Sequence, residues 1–229
     1  MPGPGLARAC AVVLVFAAAA SCGAPPPAAA PLLQQASDRM SQLKGFHFRM
    51  QVSGYTGSGE PVQSAEGDAH PPDLQARVDL REGGFLVEVE VIFSGASIYL
   101  KSITGGWQRL TPAEMAQFFD ARTLFDPQAG LFSAMRDTQA PSLGSVEKIN
   151  GHDTYPVTGA VTAGRMHQLL TLIRDQGSYH ATYWIESPAN TLWRARLSGN
   201  LFDPTRPATV TFDFSNHDHP VSVTPPPLG

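Results

Sequence analysis

The sequence predicts an α+β fold in which one continuous, curved antiparallel sheet forms a half-barrel with helices packed on its concave side. Three observations favour this fold. Apolar and polar residues alternate in many short segments, as in strands with one apolar face. Short turns rich in Gly and Pro join these segments, as in an antiparallel meander. Amphipathic helical segments separate the runs of strands, and a large sheet with helices on one side twists and curls around them.

The first helix is predicted from about Leu32 to Lys44. It ends at Gly45, and its apolar residues lie at helical spacing: Leu33, Ala36, Met40 and Leu43. The period then changes to two, and the next segment places Phe46, Phe48, Met50 and Val52 on one face of a strand.

Four more strands are predicted at residues 62–69, 74–81, 85–93 and 97–101. Their alternation puts apolar side chains on a single face of the sheet. On the third and fourth strands that face includes Leu74, Ala76, Val78 and Leu80, and Phe85, Val87, Val89 and Val91.

The middle of the chain changes to helical signals. Thr111 to Glu114 form a capping box with Pro112 at the first helical position, and the predicted helix carries Met115, Phe118 and Phe119. Asp126-Pro127 predicts the start of a second short helix, which carries Leu131, Phe132 and Met135.

Strands return from Ser142, with a two-residue hairpin turn at Asn150-Gly151. A third helix is predicted from about Thr162, and strands follow at 179–186, 191–198 and 208–215, with a short one at 221–223. The apolar residues of this third helix lie at i, i+3, i+4 and i+7: Met166, Leu169, Leu170 and Ile173.

The N-terminus is typical of an exported lipoprotein. One basic residue, Arg8, precedes an apolar run from Ala9 to Ala20, which is shorter than the ~20 residues that a membrane span needs. The following Ala19 to Cys22 resembles a bacterial lipobox, in which the thiol carries diacylglycerol and the signal is cut before it. The alternative is an ordinary secretory signal cut near Ala20.

We therefore expect a signal peptide at residues 1–21, a lipid on Cys22, a Pro- and Ala-rich tether over 22–31 and a single domain over 32–229. The other cysteine of the chain, Cys10, lies within the signal, so the mature chain is expected to contain no disulfide. The predicted location is the outer face of the cytoplasmic membrane.

Composition and motifs argue against several functions. The net charge is −4 and the basic residues are scattered, so nucleic acid is not an expected partner. The sequence has no G-x-S-x-G, P-loop or dinucleotide motif, so we predict neither catalytic residues nor a cofactor. His217-Asp218-His219 is an incomplete metal set, and no metal is predicted.

The chain resembles the LppX/LprA/LprF/LprG lipoproteins of mycobacteria and their relatives. The resemblance runs from the lipobox to the C-terminus, and its motifs occur in the same order: Phe46-His47-Phe48, Ile98-Tyr99-Leu100, Trp107, Phe125-Asp126-Pro127 with Gly130-Leu131, Ile149-Asn150-Gly151, Gly159-Ala160-Val161, Ala181-Thr182-Tyr183-Trp184-Ile185 and Val223-Thr224-Pro225-Pro226.

The resemblance implies a LolA-like fold whose concave face encloses an apolar cavity, whereas apolar alternation alone favours a filled core. The implied function is to bind acylated lipids or glycolipids and carry them from the inner membrane toward the outer envelope, without a chemical step. Some relatives are associated with a membrane lipid transporter, and we expect a monomer. The alternatives are an envelope sensor or adaptor on the same fold and a hydrolase with an unrecognised site.

On the same basis we expect the following residues to line the cavity, with Val78 and Leu80 near its mouth: Phe46, Phe48, Met50, Val52, Val78, Leu80, Phe85, Val87, Val89, Val91, Ile98, Leu100, Met115, Phe118, Phe119, Leu131, Phe132, Met135, Met166, Leu169, Leu170 and Ile173.

Overall fold

One twelve-stranded antiparallel sheet dominates the computed structural model, which describes residues 25–55, 62–95, 97–102, 105–115 and 121–228. The helices are α1 (Ala29–Ser41), α2 (Pro112–Met115), α3 (Ala121–Leu124) and α4 (Ala163–Leu169), with a 3-10 helix at Phe132–Met135. The strands are β1 (Phe46–Ser53), β2 (Val62–His70), β3 (Asp73–Glu82), β4 (Phe85–Ser94), β5 (Ser97–Lys101), β6 (Trp107–Leu110), β7 (Gln139–Leu143), β8 (Glu147–Ile149), β9 (His152–Thr162), β10 (Ser178–Glu186), β11 (Thr191–Gly199) and β12 (Ala208–Ser215).

The strand order shows two meanders joined by the last strand. The sheet runs β6-β5-β4-β3-β2-β1-β12-β11-β10-β9-β7, and β8 pairs with β9 next to β7. Strand β12 pairs with β1 on one side and β11 on the other, so both halves of the chain share one sheet. This arrangement confirms the predicted α+β fold with a continuous antiparallel sheet.

Helix α1 covers the second half of the sheet, where it packs against β10, β11 and the 3-10 helix. Its buried residues include Leu33, Ala36 and Met40, as the helical spacing predicts. The helix begins at Ala29, three residues before the predicted start, and so includes the end of the predicted tether. Pro31 is tolerated there because the N–H groups of a first helical turn have no partner within the helix.

Two tight features of the sheet depend on glycine. At the β8–β9 turn, the predicted two-residue hairpin, Asn150 and Gly151 both have positive φ, as a type I′ turn requires. On β2, a Cβ at Gly67 would lie 2.1 Å from the Gln75 carbonyl oxygen, so only glycine fits against β3 there.

The structure corrects four expected elements. The third predicted helix ends at Leu169, because the backbone of Leu170 is extended, so Ile173 does not lie on that helix. Strand β6 was not predicted, because four residues give too short an alternation. The segment after Asp126 forms a turn and a 3-10 helix instead of an α-helix, since the Asp126 carboxylate accepts the N–H groups of Gln128 and Ala129 at 2.8 and 2.7 Å and closes the turn. Residues 221–223 form no strand; they lie beside three prolines, which donate no ladder hydrogen bonds.

Within the part of the chain that the structure describes, no helix combines the length and the apolar character that crossing a membrane requires.

Candidate functional site

The first half of the sheet encloses a large apolar cavity. Its volume is about 290 Å³, and the whole space between its walls, including the part that opens to solvent, is about 1530 Å³. Every lining residue that the structure describes is apolar: Phe46, Phe48, Met50, Val52, Val62, Ala65, Leu74, Ala76, Val78, Leu80, Val89, Val91, Phe93, Leu100, Leu110, Leu124, Phe125, Leu131, Leu170, Leu172, Ile173, Phe202, Val210, Phe212 and Phe214.

Among the residues that the structure describes, the cavity is closed at one end of the strands and open at the other. At the closed end, Phe46, Leu74 and Phe93 are only 2%, 5% and 4% exposed. Along the same strands burial decreases, and Val52 and Leu80 are half-buried. The mouth therefore lies at the end of the sheet where β1 ends and β3 turns into β4.

Aromatic rings form the floor of the closed end. The ring of Phe46 makes edge contacts with those of Phe125, Phe132 and Phe214, at centroid distances of 6.2, 5.7 and 5.9 Å. Phe214 in turn stacks with Phe212 at 6.2 Å. Because these rings come from β1, β12 and the segment after α3, the floor joins both ends of the chain.

Hydrogen bonds hold the segment that covers the cavity. Arg165 of α4 donates to Asp137 at 2.8 Å and to the Ala129 carbonyl at 2.8 Å, and it also bonds the Ser133 hydroxyl. Arg136 pairs with Asp38 of α1 at 2.8 Å. The 3-10 helix is thereby fixed to two other helices, and Leu131 is held over the cavity.

A smaller apolar cavity of about 60 Å³ lies beside the large one, under the second half of the sheet. The two share Leu131, Leu170 and Ile173, among others. Tyr183 contributes to its wall, and the Thr138 hydroxyl donates to the tyrosine oxygen at 3.3 Å. Burial raises the pKa of Tyr183 to about 12, so this tyrosine stays neutral at physiological pH.

The sequence-predicted site residues fall into four groups. Twelve line the large cavity, and Phe132, Met135 and Met166 line the smaller one; the twelve are Phe46, Phe48, Met50, Val52, Val78, Leu80, Val89, Val91, Leu100, Leu131, Leu170 and Ile173. Ile98, Leu169 and Val87 pack in or against the core without lining either cavity. Phe85 is 77% exposed and lies beyond the mouth, which corrects its predicted place in the lining. Cys22, Phe118, Phe119 and the side chain of Met115 lie outside the described residues.

Sequence reasoning missed about half of the lining. Leu74, Ala76 and Phe93 continue the alternation of predicted strands, and Val210, Phe212 and Phe214 alternate in the same way along β12. The period of two could have identified all six. Phe202 lies in the loop after β11, where no local pattern marks it.

The described residues contain no cluster of three or more His, Cys, Asp or Glu side chains that could hold a metal ion. Within His217-Asp218-His219, the first two side chains bond to other parts of the protein. His217 shares a hydrogen bond with the Leu192 carbonyl at 3.0 Å, and burial lowers its pKa. Asp218 binds Arg39 at 2.5 Å and accepts the Lys44 backbone N–H at 3.1 Å.

A half-barrel whose described residues line an open, apolar cavity on the concave face is typical of proteins that hold apolar ligands. The sequence profile of the LppX_LprAFG lipoprotein family matches residues 28–223, and the chain belongs to this family.

Relatives and solved structures agree with this assignment. The chain is 26% identical over 199 residues to the lipoarabinomannan carrier protein LprG of Mycolicibacterium smegmatis, covering 85% of this chain and 81% of that one. It is 25% identical over 204 residues to LprG of Mycobacterium bovis, with coverages of 86% and 82%. The fold matches LprF of Mycobacterium bovis with a TM-score of 0.72 at 24% identity, covering 90% of this chain and all of LprF. It matches LppX of Mycobacterium tuberculosis with a TM-score of 0.63 at 19% identity, covering 85% and 97%.

Proposed function

We propose that this protein is a membrane-anchored lipoprotein that holds the acyl chains of an envelope lipid, glycolipid or lipoglycan in its large cavity and carries them from the inner membrane toward the outer envelope. The observation that carries the proposal is the cavity itself, because all of its described lining residues are apolar and it opens at one end between the described segments. The names of the LprG relatives, which describe carriers of lipoarabinomannan, support the same ligand class.

The size of the cavity suits acyl chains. If a methylene group occupies about the volume of a water molecule in the liquid, ~30 Å³, a 16-carbon chain needs about 480 Å³. The cavity of about 290 Å³ holds roughly ten methylene groups at this size, and the remaining carbons lie in the opening, which brings the space between the walls to about 1530 Å³. Burial at ~0.8 kcal/mol per methylene favours the bound chain by about 10 kcal/mol before ordering costs. The cavity thus offers the acyl chain an apolar environment comparable to that of a bilayer. Moving the lipid between the two needs no chemical step.

The lipid anchor is the second part of the proposal. A diacylglycerol on Cys22 would hold the domain at the membrane that supplies the ligand, and the residues between Cys22 and α1 would act as a short tether. Loading is then expected at the inner membrane. Delivery to the outer envelope requires either a released, unacylated form or a second carrier.

The test of the cavity is to purify the full chain from a mycobacterial host and to analyse its organic extract by mass spectrometry. Stoichiometric acylated lipid is expected, and a correctly folded protein whose extract contains no lipid would contradict the proposal. The anchor has its own test, since Cys22→Ala is expected to abolish labelling by radioactive palmitate and to move the protein out of the membrane fraction. Continued membrane retention without labelling would instead favour an uncleaved signal.

A further inference from the structure

The turn between β3 and β4 carries two large apolar side chains in solvent. Phe85 is 77% exposed and Leu86 is 63% exposed. The other exposed large apolar side chains among the described residues, Val146 and Leu228, are isolated from them in the chain. The turn consists of Gly83 and Gly84, both with positive φ, and no atom of the described residues lies within 4 Å of a Cβ position at either glycine. The hairpin tip therefore projects away from the domain.

The two side chains point to opposite faces of the hairpin, because successive residues of a strand alternate. Phe85 shares the concave face with Val87 and Val89, whereas Leu86 shares the convex face with its cross-strand partner Arg81. A flat protein surface could cover only one of these faces. An apolar medium that surrounds the tip on all sides covers both.

The tip also adjoins the mouth of the cavity. Leu80, which lines the cavity, pairs with Val87, and Phe85 follows two residues further toward the turn on the same face. A strand rises ~3.4 Å per residue, so Phe85 lies about 7 Å beyond Val87. Amphipathic segments insert ~5–10 Å into the boundary between headgroups and acyl chains, so a tip buried to this depth would bring the mouth to the bilayer surface.

We propose that the β3–β4 tip, formed by residues 83–86, inserts into a phospholipid bilayer and aligns the cavity mouth with the acyl chains. The occupant is the bilayer itself, and the inference rests on the proposed function in that the bilayer supplies the ligand. Phe85 then provides an apolar surface along which an acyl chain passes from the membrane to Val87. Glu88 is exposed close to the tip and the chain has a net charge of −4, so attraction to anionic lipid does not drive insertion. Burial of the apolar side chains drives it, and the protein is therefore expected to bind vesicles of zwitterionic lipid.

The first test measures the depth of the tip. The full chain carrying F85C is coupled to an environment-sensitive dye whose apolar ring takes the place of the Phe85 ring, and it is reconstituted in phosphatidylcholine vesicles. The unsubstituted chain gives the labelling background. Nitroxide groups on the lipid acyl chains are expected to quench this dye several-fold more than a dye at A189C. Ala189 is an exposed residue of the β10–β11 turn, at the opposite end of the sheet. Equal quenching at the two positions would overturn the proposal.

The second test separates the tip from the carrier function. In the F85S/L86S double variant, each substitution is expected to lower the rate of lipid uptake from phosphatidylcholine vesicles by about tenfold. The rate of uptake from detergent micelles is expected to stay unchanged. V146S, which removes an exposed apolar side chain elsewhere, should load normally from both sources. If the double variant loads from vesicles at the normal rate, the tip has no such role and the carrier function stands. If the dye is quenched but no variant ever holds lipid, the tip inserts and the carrier function fails.

Discussion

Filling the cavity from its own wall is the most direct perturbation of lipid binding. Val78 lies on β3 between Ala65 and Val89 in the register, it is half-buried, and it lines the large cavity. Val78→Trp adds seven heavy atoms that point into this space. At roughly 15–30 Å³ per atom the larger side chain takes about 100–200 Å³. This is a large part of the cavity volume of about 290 Å³.

The expected loss of affinity follows from the displaced methylene groups. Five of them, at ~0.8 kcal/mol each, correspond to about 4 kcal/mol, or roughly a thousandfold in the dissociation constant. A flexible acyl chain can also bend around the new ring within the space of about 1530 Å³ between the walls. The lower limit of the expected increase in the dissociation constant is therefore about tenfold. The affinity of the purified chain for a fluorescent fatty acyl lipid measures this difference.

The fold should survive the substitution, because the new ring enters open space and not the packed floor. Circular dichroism and the melting temperature are expected to stay close to those of the unsubstituted chain. Arg77→Trp is the matched control, since Arg77 is the neighbouring residue on β3 and is exposed on the convex face. A folded Val78→Trp protein that binds lipid as well as the Arg77→Trp protein would refute the assignment of this cavity as the lipid site.

Three further predictions concern stability. Gly67→Ala should lower the free energy of unfolding in urea by about 2–3 kcal/mol, because its Cβ would lie 2.1 Å from the backbone of β3. Gly106→Ala is the control, and its free energy of unfolding should change little because the space around Gly106 is open. Gly151→Ala should cost about 1–2 kcal/mol in the same assay, since the turn requires a φ of +89°. Burial lowers the pKa of His217, so the unfolded chain binds a proton first as the pH falls below 6.5, and stability should decrease from there down to the folded pKa. His217→Gln should weaken this pH dependence of the melting temperature relative to the unsubstituted chain.

Much of the sheet was predictable because the signal for a strand is local. The alternation of Phe46, Phe48, Met50 and Val52 places them on one face wherever the strand is found, and β1 does present that face to the core. The hairpin at Asn150-Gly151 was predictable for the same reason, since the turn type follows from two residues. Strand β6 and the turn after Asp126 were not, because four residues give no reliable period and a side-chain hydrogen bond redirects the backbone.

The sequence by itself determined the class of fold, the apolar face of each long strand and, through Cys22, the prediction of a lipid anchor, which lies outside the described residues. It could not determine where that apolar face would be filled. Val157 and Val161 on β9 alternate just as Val89 and Val91 do on β4, yet the first pair is fully buried while the second lines an open cavity. The difference is tertiary, because α1 packs on β7, β10 and β11 and α4 packs on β9, so helices cover the second half of the sheet. Over the first half, the described segments leave space between the walls, and that space is the candidate site.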